Sequence, residues 1–552
     1  MSSIITAILR STVGLLCDNA RDSAANKLKD GDLADEKLRE IIVKDLTDIK
    51  SKLDCLSLKD LDSSYSFLKE GVELLNLALD ESNEDQKASE GPTDEAARVM
   101  NDTASGILKG ALSLPQPTQR LQISSNKRFD SAQDRFKASR EAATHAFNNK
   151  SLTIKDQIMA CKLRVAASIL ESGLEDPEAA TTACLSSLKE LHGLPAIQEM
   201  FAVFLTGGLK SKYKKTERLE NILSVLFINH ALYDFASKYS SKSHYLFTWP
   251  GIKLKDRTFH PILNTHEIVT KTSSREAFVQ QLNRVVVDSR IKTATFAVNS
   301  RGEIIVLDND KITVFYSTGE SKVVMLPKPT ESNDITRRDK DIDVDVAVDS
   351  NDNVYAVQQC ATYDKNGSRK EHFVLYVFDE NYNIKHVSAL DFLDRKFGNV
   401  NIAVDKNQYL IMLTNWNTLV YICENTEKLK FQFIRDGDNI RSLSISNNND
   451  IMIVSDDHSA VQIYSTEGNL KSTIRVPEGH EARRVAFHHG ICKIIVAAYV
   501  REQSSCFLLG YSETGELENS VFFRKGDGWR MNIKSHPSGP VAVVVRDTIT
   551  II

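Results

Sequence analysis

The sequence predicts two folds in tandem: an all-α helical array over residues 1–240, then a six-bladed β-propeller over 283–552, with a connecting segment at 241–282. Three observations predict this. Apolar residues in the first half recur three and four apart, the period of a helix face. In the second half a unit of short strands recurs at intervals of 41 to 56 residues. At 552 residues the chain is also longer than one hydrophobic core can fill.

In the helical half, Leu38, Ile42, Leu46, Ile49, Leu53 and Leu56 follow spacings of 4, 4, 3, 4 and 3, a packing stripe read as a bundle core, with a dimerising coiled coil as the alternative. Further helices are predicted around Tyr65 to Leu79, Ile158 to Leu170 and Leu219 to Phe235, in an array of roughly eight. The acidic run DESNEDQKASEGPTDE, Asp80 to Glu95, reads as a solvated linker, since it buries too little apolar surface to order itself. Asp176-Pro177 and Gly193-Leu-Pro195 mark helix boundaries, because proline suits a first turn and breaks an interior. The one dense basic cluster, KSKYKK at Lys210 to Lys215, reads as a solvated loop entering a helix, with contact to phosphates or an anionic membrane surface as the alternative.

In the second half, AVNSRGEIIVLD, AVDSNDNVYAVQ, AVDKNQYLIMLT and SISNNNDIMIVS share one pattern: an apolar strand end, a polar turn, a second apolar strand. AFHHGICKIIVAA and IKSHPSGPVAVVV continue it. The third positions are Asn299, Asp349, Asp405, Ser446, His488 and Ser535, at separations of 50, 56, 41, 42 and 47. Each unit carries a second hairpin, so four strands, a to d, run outward from the propeller axis. DSNDN at Asp349 is then the a-to-b turn. A calcium loop would need Gly at its sixth position and Glu at its twelfth, where this chain has Val354 and Cys360. The last unit supplies three strands, and Asn283 to Asp288 is expected to fill the fourth place and close the ring.

AVDSNDNVYAV and VLYVFDENYN resemble the NHL-repeat propellers, over about residues 283–552. Gly479-His480 with VAFHHG and SDDHSAVQIYS resemble WD-repeat pieces, although no unit ends in Trp-Asp. NHL propellers often end tripartite-motif (TRIM-NHL) ubiquitin ligases, which implies at most a ligase-associated adaptor. The first half has no Cys and His spacing for the RING and B-box zincs of such ligases.

Sites of chemistry are sparse. His266-Glu267 and His480-Glu481 each begin an H-E-x-x-H, but Thr270 and Arg484 stand at its fifth position, and there is no G-x-S-x-G, Walker or Rossmann motif. His488 and His489 are adjacent on a strand end and face opposite ways. No cofactor and no metal are expected. Lys and Arg total 69 against 74 Asp and Glu, and neither half is basic, which disfavours a broad nucleic-acid face. The eight cysteines form no C-x-x-C pair, fitting reduced thiols in the cytoplasm. No run approaches a membrane span.

The expected site is a face of loops. The b-to-c and d-to-a loops share one end of the disc, where Trp416, Asp457, His458, Arg337, Arg338, Arg395, Arg483, Arg484, Trp529 and Arg530 are placed. The competing reading is that Trp416 and Trp529 seal blade junctions and the arginines are solvated. Gln358 to His372 reads as a long loop, a contact arm or an insertion. Asp341-Ile-Asp-Val-Asp345 lines one face of an innermost strand, with its charges at the wet channel mouth. The expected function is a non-enzymatic scaffold: the propeller face binds a protein or peptide, and the helical domain recruits or homo-oligomerises. An RNA-binding propeller is the alternative, and a metal-dependent propeller hydrolase would need carboxylates from several blades.

Overall fold

The computed structural model describes residues 59–89, 127–172, 175–207, 213–239, 245–269, 271, 285–287 and, apart from short gaps, 295–551. The stripe from Leu38 to Leu56 lies outside the described residues. The chain divides into two units, one holding the long helices with Trp249–Ile262, the other holding Leu246–Thr248 and everything described from Leu263 onward. The connecting segment is thus shared between them.

Helix α1 (Lys59–Ser89) opens with Asp60 and Asp62, whose charges favour its N-terminus. It buries Leu61, Tyr65, Leu68, Val72 and Leu75, one face at spacings of three and four. Against it lies α2 (Lys127–Asn148). The two approach closely because Gly71 faces Phe136, where a Cβ would come within 2.6 Å of the ring. Ser64 and Ser139 there exchange hydroxyl-to-carbonyl hydrogen bonds of 2.8 and 2.7 Å. The helix continues to Ser89, over much of the run read as linker. Glu, Gln, Lys and Ala there are good helix formers, and Gly91-Pro92 lie beyond the helix end.

Helix α3 (Ile154–Ser172) starts from a reciprocal cap: Thr153 Oγ1 accepts from Asp156 N–H at 3.2 Å and donates to its carboxylate at 2.6 Å. Helix α4 (Pro177–Gly193) is capped by Asp176, which accepts from Ala179 N–H at 2.9 Å with proline in the first turn. Helices α5 (Pro195–Thr206) and α6 (Lys215–Tyr239) complete the long helices described. Of the basic cluster, Lys214 and Lys215 lead into α6 while Lys210 to Lys212 lie outside the described residues.

Trp249–Ile262 is fastened to α4 and α6 by a chain of buried polar groups. Trp249 Nε1–H donates to Asn229 Oδ1 at 2.7 Å, Asn229 Nδ2 to His192 Nε2 at 3.1 Å, and His192 Nδ1–H to Pro250 O at 2.9 Å. Burial holds the His192 imidazole down at about 4, so the ring is neutral and its tautomer is fixed by these partners.

The second unit is a β-propeller. Five of its sheets have four antiparallel strands, meeting the four-strand expectation, and the sheet of residues 335–389 has five. The sheet of 531–551 supplies three strands and takes its outer one from Val285–Val287, which pairs with Thr548–Thr550 as expected. Apolar clusters straddle neighbouring sheets. Leu307, Val314, Val354 and Tyr376 join the sheets of 295–325 and 335–389, and Phe296 and Val306 meet Ala542 and Ile549 where first and last sheets adjoin. Where their side chains are described, strands two and three of the sheets are largely buried on both faces, which explains their unbroken apolar runs. Outer strands alternate or are exposed.

Candidate functional site

The polar turns between strands a and b follow one local chemistry. Asp349 Oδ1 accepts from the backbone N–H of Asn351 at 2.8 Å and Asn353 at 2.9 Å. Asn299, Asp405 and Ser446 each accept from the N–H groups two and four residues on in the same way. The fourth residue of each turn has a positive φ, supplied by Gly302, Asp352, Gln408 and Asn449. The second carboxylate oxygen of Asp349 accepts from Asn353 Nδ2 at 2.8 Å and the Tyr355 hydroxyl at 3.2 Å. Its oxygens are committed to the turn and its neighbours, as the turn reading expects. Among the described residues no group of three metal-ligating side chains occurs.

At this end of the disc, turns of different sheets are tied together. Asp352 accepts from Ser300 N–H at 2.8 Å and from the Ser300 hydroxyl, and lies 3.2 Å from His536 Nε2. Burial pushes its carboxyl up, but the hydrogen bonds from His536 and Ser300 outweigh this and hold it at about 2. His536, fully buried, accepts from Ser538 N–H on Nδ1 at 3.0 Å and donates from Nε2 to Asp349 O at 2.8 Å. His489 donates to Asn447 Oδ1 at 2.8 Å, and burial with neighbouring Lys406 holds it down at about 3. Its neighbour His488 is buried at the end of its strand.

The innermost strands surround a cavity of about 40 Å³ lined by residues of all six sheets, among them Ala297, Val346, Ile402, Leu443, Val485 and Ile533. That is room for a few waters. Asp345 sits beside it, and here the expectation of a wet channel mouth is corrected. The side chain is buried, accepts from Lys534 Nζ at 2.8 Å, and accepts from Ile402 N–H at 2.9 Å. The cation it attracts is the protein's own lysine. Asp341 lies outside the described residues, as do the side-chain surroundings of Asp343.

The other end carries the b-to-c loops. Asp457 is exposed and accepts from the Ser459 hydroxyl at 2.7 Å. His458, with φ of 57°, turns inward: Nδ1–H donates to Ala482 O at 2.9 Å, and Nε2 accepts from Arg483 Nη1 at 3.2 Å. Arg483, placed by its sequence on the displayed face, is buried. It is the extra residue of a β-bulge between Ala482 and Arg484, and a bulge re-aims its side chain. Its guanidinium pairs with Glu481 and lies 5.6 Å from the Tyr499 ring centre. Glu481 also pairs with Arg501, whose side chain is 70% exposed. Arg484 is half-buried and donates to Arg483 O at 2.9 Å.

The structure therefore brings His458, Arg483 and Arg484 together with Glu481, Tyr499 and Arg501, which sequence reasoning missed. Trp416, Arg395, Trp529 and Arg530 lie outside the described residues. Arg337 and Arg338 are on the strand Ile335–Arg338. The expected loop Gln358 to His372 is corrected to two long paired strands, Val354–Asp364 and Arg369–Phe378, in register from Val354 with Phe378 to Tyr363 with Arg369.

These features define a β-propeller with closed turns at one end and charged loops at the other. No family model matches the chain, and no curated protein matches it. Among solved structures, a streptogramin B lyase is 12% identical with a TM-score of 0.33, over 49% of this chain and 97% of its own. The virginiamycin B lyase of Staphylococcus aureus is 10% identical with a TM-score of 0.33 over the same shares, 49% and 97%. The Cps50 (Swd1) β-propeller domain of Myceliophteria thermophila is 11% identical with a TM-score of 0.31, over 47% and 94%. Among the described residues no helix is long and apolar enough to cross a membrane.

Proposed function

We propose that the chain is a non-enzymatic, cytoplasmic scaffold whose six sheets act as six NHL-like or WD-like blades of one ring. The end bearing the b-to-c loops recognises a protein or peptide, and the helical unit recruits or self-associates. One observation carries this reading: at the b-to-c end charged side chains stand exposed on a framework of buried polar pairs. At the a-to-b end, Asp349, Asp352, His536 and Asn447 spend their hydrogen bonds inside the protein. At the opposite end, Asp457 and Arg501 are exposed on a framework stiffened by the Arg483 and Glu481 pair. The cavity among the innermost strands, lined in part by Lys534, has room for a few waters, which favours surface recognition over chemistry on an enclosed substrate.

The test is cross-linked affinity capture with the full chain, beside an Asp457→Lys, Arg484→Glu, Arg501→Glu variant. The reading expects a discrete protein partner recovered by the first and lost by the second. Recovery of RNA in place of protein, or a partner held equally by both, overturns it.

A further inference from the structure

At the b-to-c end, the sheet of residues 480–525 has described side chains on all four of its strands. Directly opposed residues of antiparallel strands lie on one side of the sheet. Glu481 is opposite Tyr499, Tyr499 opposite Cys506, and Cys506 opposite Arg524, so these four form one cross-strand row. Arg483 joins it from the bulge, with its guanidinium 5.6 Å from the Tyr499 ring centre. Arg501 opens the turn closed by Ser504 N–H on Arg501 O at 3.0 Å, and its ion pair with Glu481 sets it on the same side. This face therefore carries Arg483, Arg501 and Arg524 against Glu481. With Glu502, exposed at the next position of the turn, cations still outnumber anions.

The face is organised from the inside outward. His458, buried, donates from Nδ1 to Ala482 O at 2.9 Å and accepts from Arg483 Nη1 at 3.2 Å. Arg483, itself buried, pairs through Nη2 with Glu481 Oε2, and Glu481 Oε1 pairs with Nε of Arg501. Arg501 is thus held at the inner edge of its guanidinium while most of its side chain is exposed. Among the described residues its two outer nitrogens and the hydroxyl of half-buried Tyr499 have no hydrogen-bond partner. A guanidinium fixed at one edge offers the other as a fork, which a carboxylate fits with two parallel hydrogen bonds. Because Glu481 already restrains the arginine, less side-chain freedom is lost on binding.

We propose that Arg501, with Tyr499 on the same face, is the recognition point for an Asp or Glu carboxylate of the protein partner. The inference rests on the protein-binding reading above and names the chemistry of the partner. The positive balance of the face complements an acidic segment. Glu481 lies against the same guanidinium, so a doubly charged phosphate placed there would meet a like charge at close range, and the singly charged carboxylate is the better fit.

The test selects peptides from a phage-displayed library of random dodecapeptides on the full chain, and measures each selected peptide by fluorescence anisotropy at physiological ionic strength. The selected peptides are expected to share an Asp or Glu whose change to Asn or Gln weakens binding about tenfold or more. Arg501→Gln should lose as much with an unchanged melting curve, and Arg501→Lys should restore only part, because an ammonium lacks the fork. Tyr499→Phe, which keeps the ring under Arg483, should lose about threefold. Arg501→Glu should prefer the peptide whose acidic residue is changed to Lys, and Lys189→Gln on α4 should bind like the parent. The proposal is overturned if no peptide is recovered, if the peptides need no acidic position, if phosphoserine in place of the acid binds more tightly, or if Arg501→Gln binds like the parent. Should a captured protein be lost by the Asp457→Lys, Arg484→Glu, Arg501→Glu variant yet kept by Arg501→Gln, the scaffold reading stands and only the role of Arg501 falls.

Discussion

Asp405 performs the same turn chemistry as Asp349, yet its second oxygen is left without a hydrogen-bond partner among the described residues although the residue is buried. The difference is two residues: Asn353 and Tyr355 donate their side chains to Asp349, whereas Tyr409 and Ile411 stand at those positions in the Asp405 turn. Burial accordingly raises the Asp405 carboxyl above its ordinary range. Asn299 shows that asparagine serves the same turn position without a charge. Asp405→Asn should therefore stabilise the propeller by about 1 kcal/mol, because an unpaired buried carboxylate costs more than an unpaired amide. Asp349→Ala, which removes four accepted hydrogen bonds, should cost about 2–4 kcal/mol. Urea unfolding at neutral pH measures both, and a destabilised Asp405→Asn would refute the account of its unpaired oxygen. The turn at Asp349 was legible in the sequence because its chemistry is local. Arg483 was not: its burial depends on a bulge, on Glu481 and on Tyr499 in the next strand, and residue type alone reports none of these.

Among elements, the c-to-d turns show how a blade is held against its neighbour. Gly468, at φ of 84°, lies where a Cβ would come within 2.6 Å of Phe433 in the preceding sheet, and Gly515 meets Ile474 similarly at 3.0 Å. Gly468→Ala meets both a left-handed backbone and an occupied space, so a loss of about 2–4 kcal/mol is expected in thermal or urea unfolding. The helical unit offers a pH prediction. His192 is held at about 4 when folded, against 6.5 ordinarily. Between those values the unfolded chain carries a proton that the folded one refuses, so stability falls as pH drops from about 6.5 towards 4, by about 3 kcal/mol in all. Far-UV circular dichroism of helix loss in urea at several pH values should show this slope, and His192→Gln should flatten it. The elements also show where sequence patterns fail. Gln358 to Asp364 looked like loop because two glutamines open the run and no apolar alternation marks it, yet Gln358, Gln359 and Cys360 are buried in the sheet. Asp80 to Ser89 looked disordered by charge, yet the same residue types favour helix once α1 is nucleated by the buried face upstream.

At the scale of the whole propeller, ring closure depends on three residues. Val285, Val286 and Val287 pair with Thr550, Ile549 and Thr548 and complete the last sheet. Val286→Pro removes a backbone donor from that short ladder and should lower the melting temperature of the β-rich transition, with a cost of about 3 kcal/mol or more. A variant that melts like the parent would show that the first and last sheets hold together through Phe296, Val306 and Ala542 alone. The repeat period made the architecture legible because every blade solves the same packing problem. The sheet of 335–389 departs from it twice: its long second and third strands fall where the repeat spacing lengthens to 56 residues, and its added strand Ile335–Arg338 falls in the 50-residue interval before it. The pairing of Val285 with Thr550 also sets an order in time. The two residues are 265 apart in the chain, so at about 5–20 residues per second the closing strand emerges from the ribosome roughly 13–53 s before its partner exists. Throughout that interval the nascent protein exposes an unsatisfied valine strand, and chaperone occupancy of nascent chains should peak there and fall once the last sheet has been made.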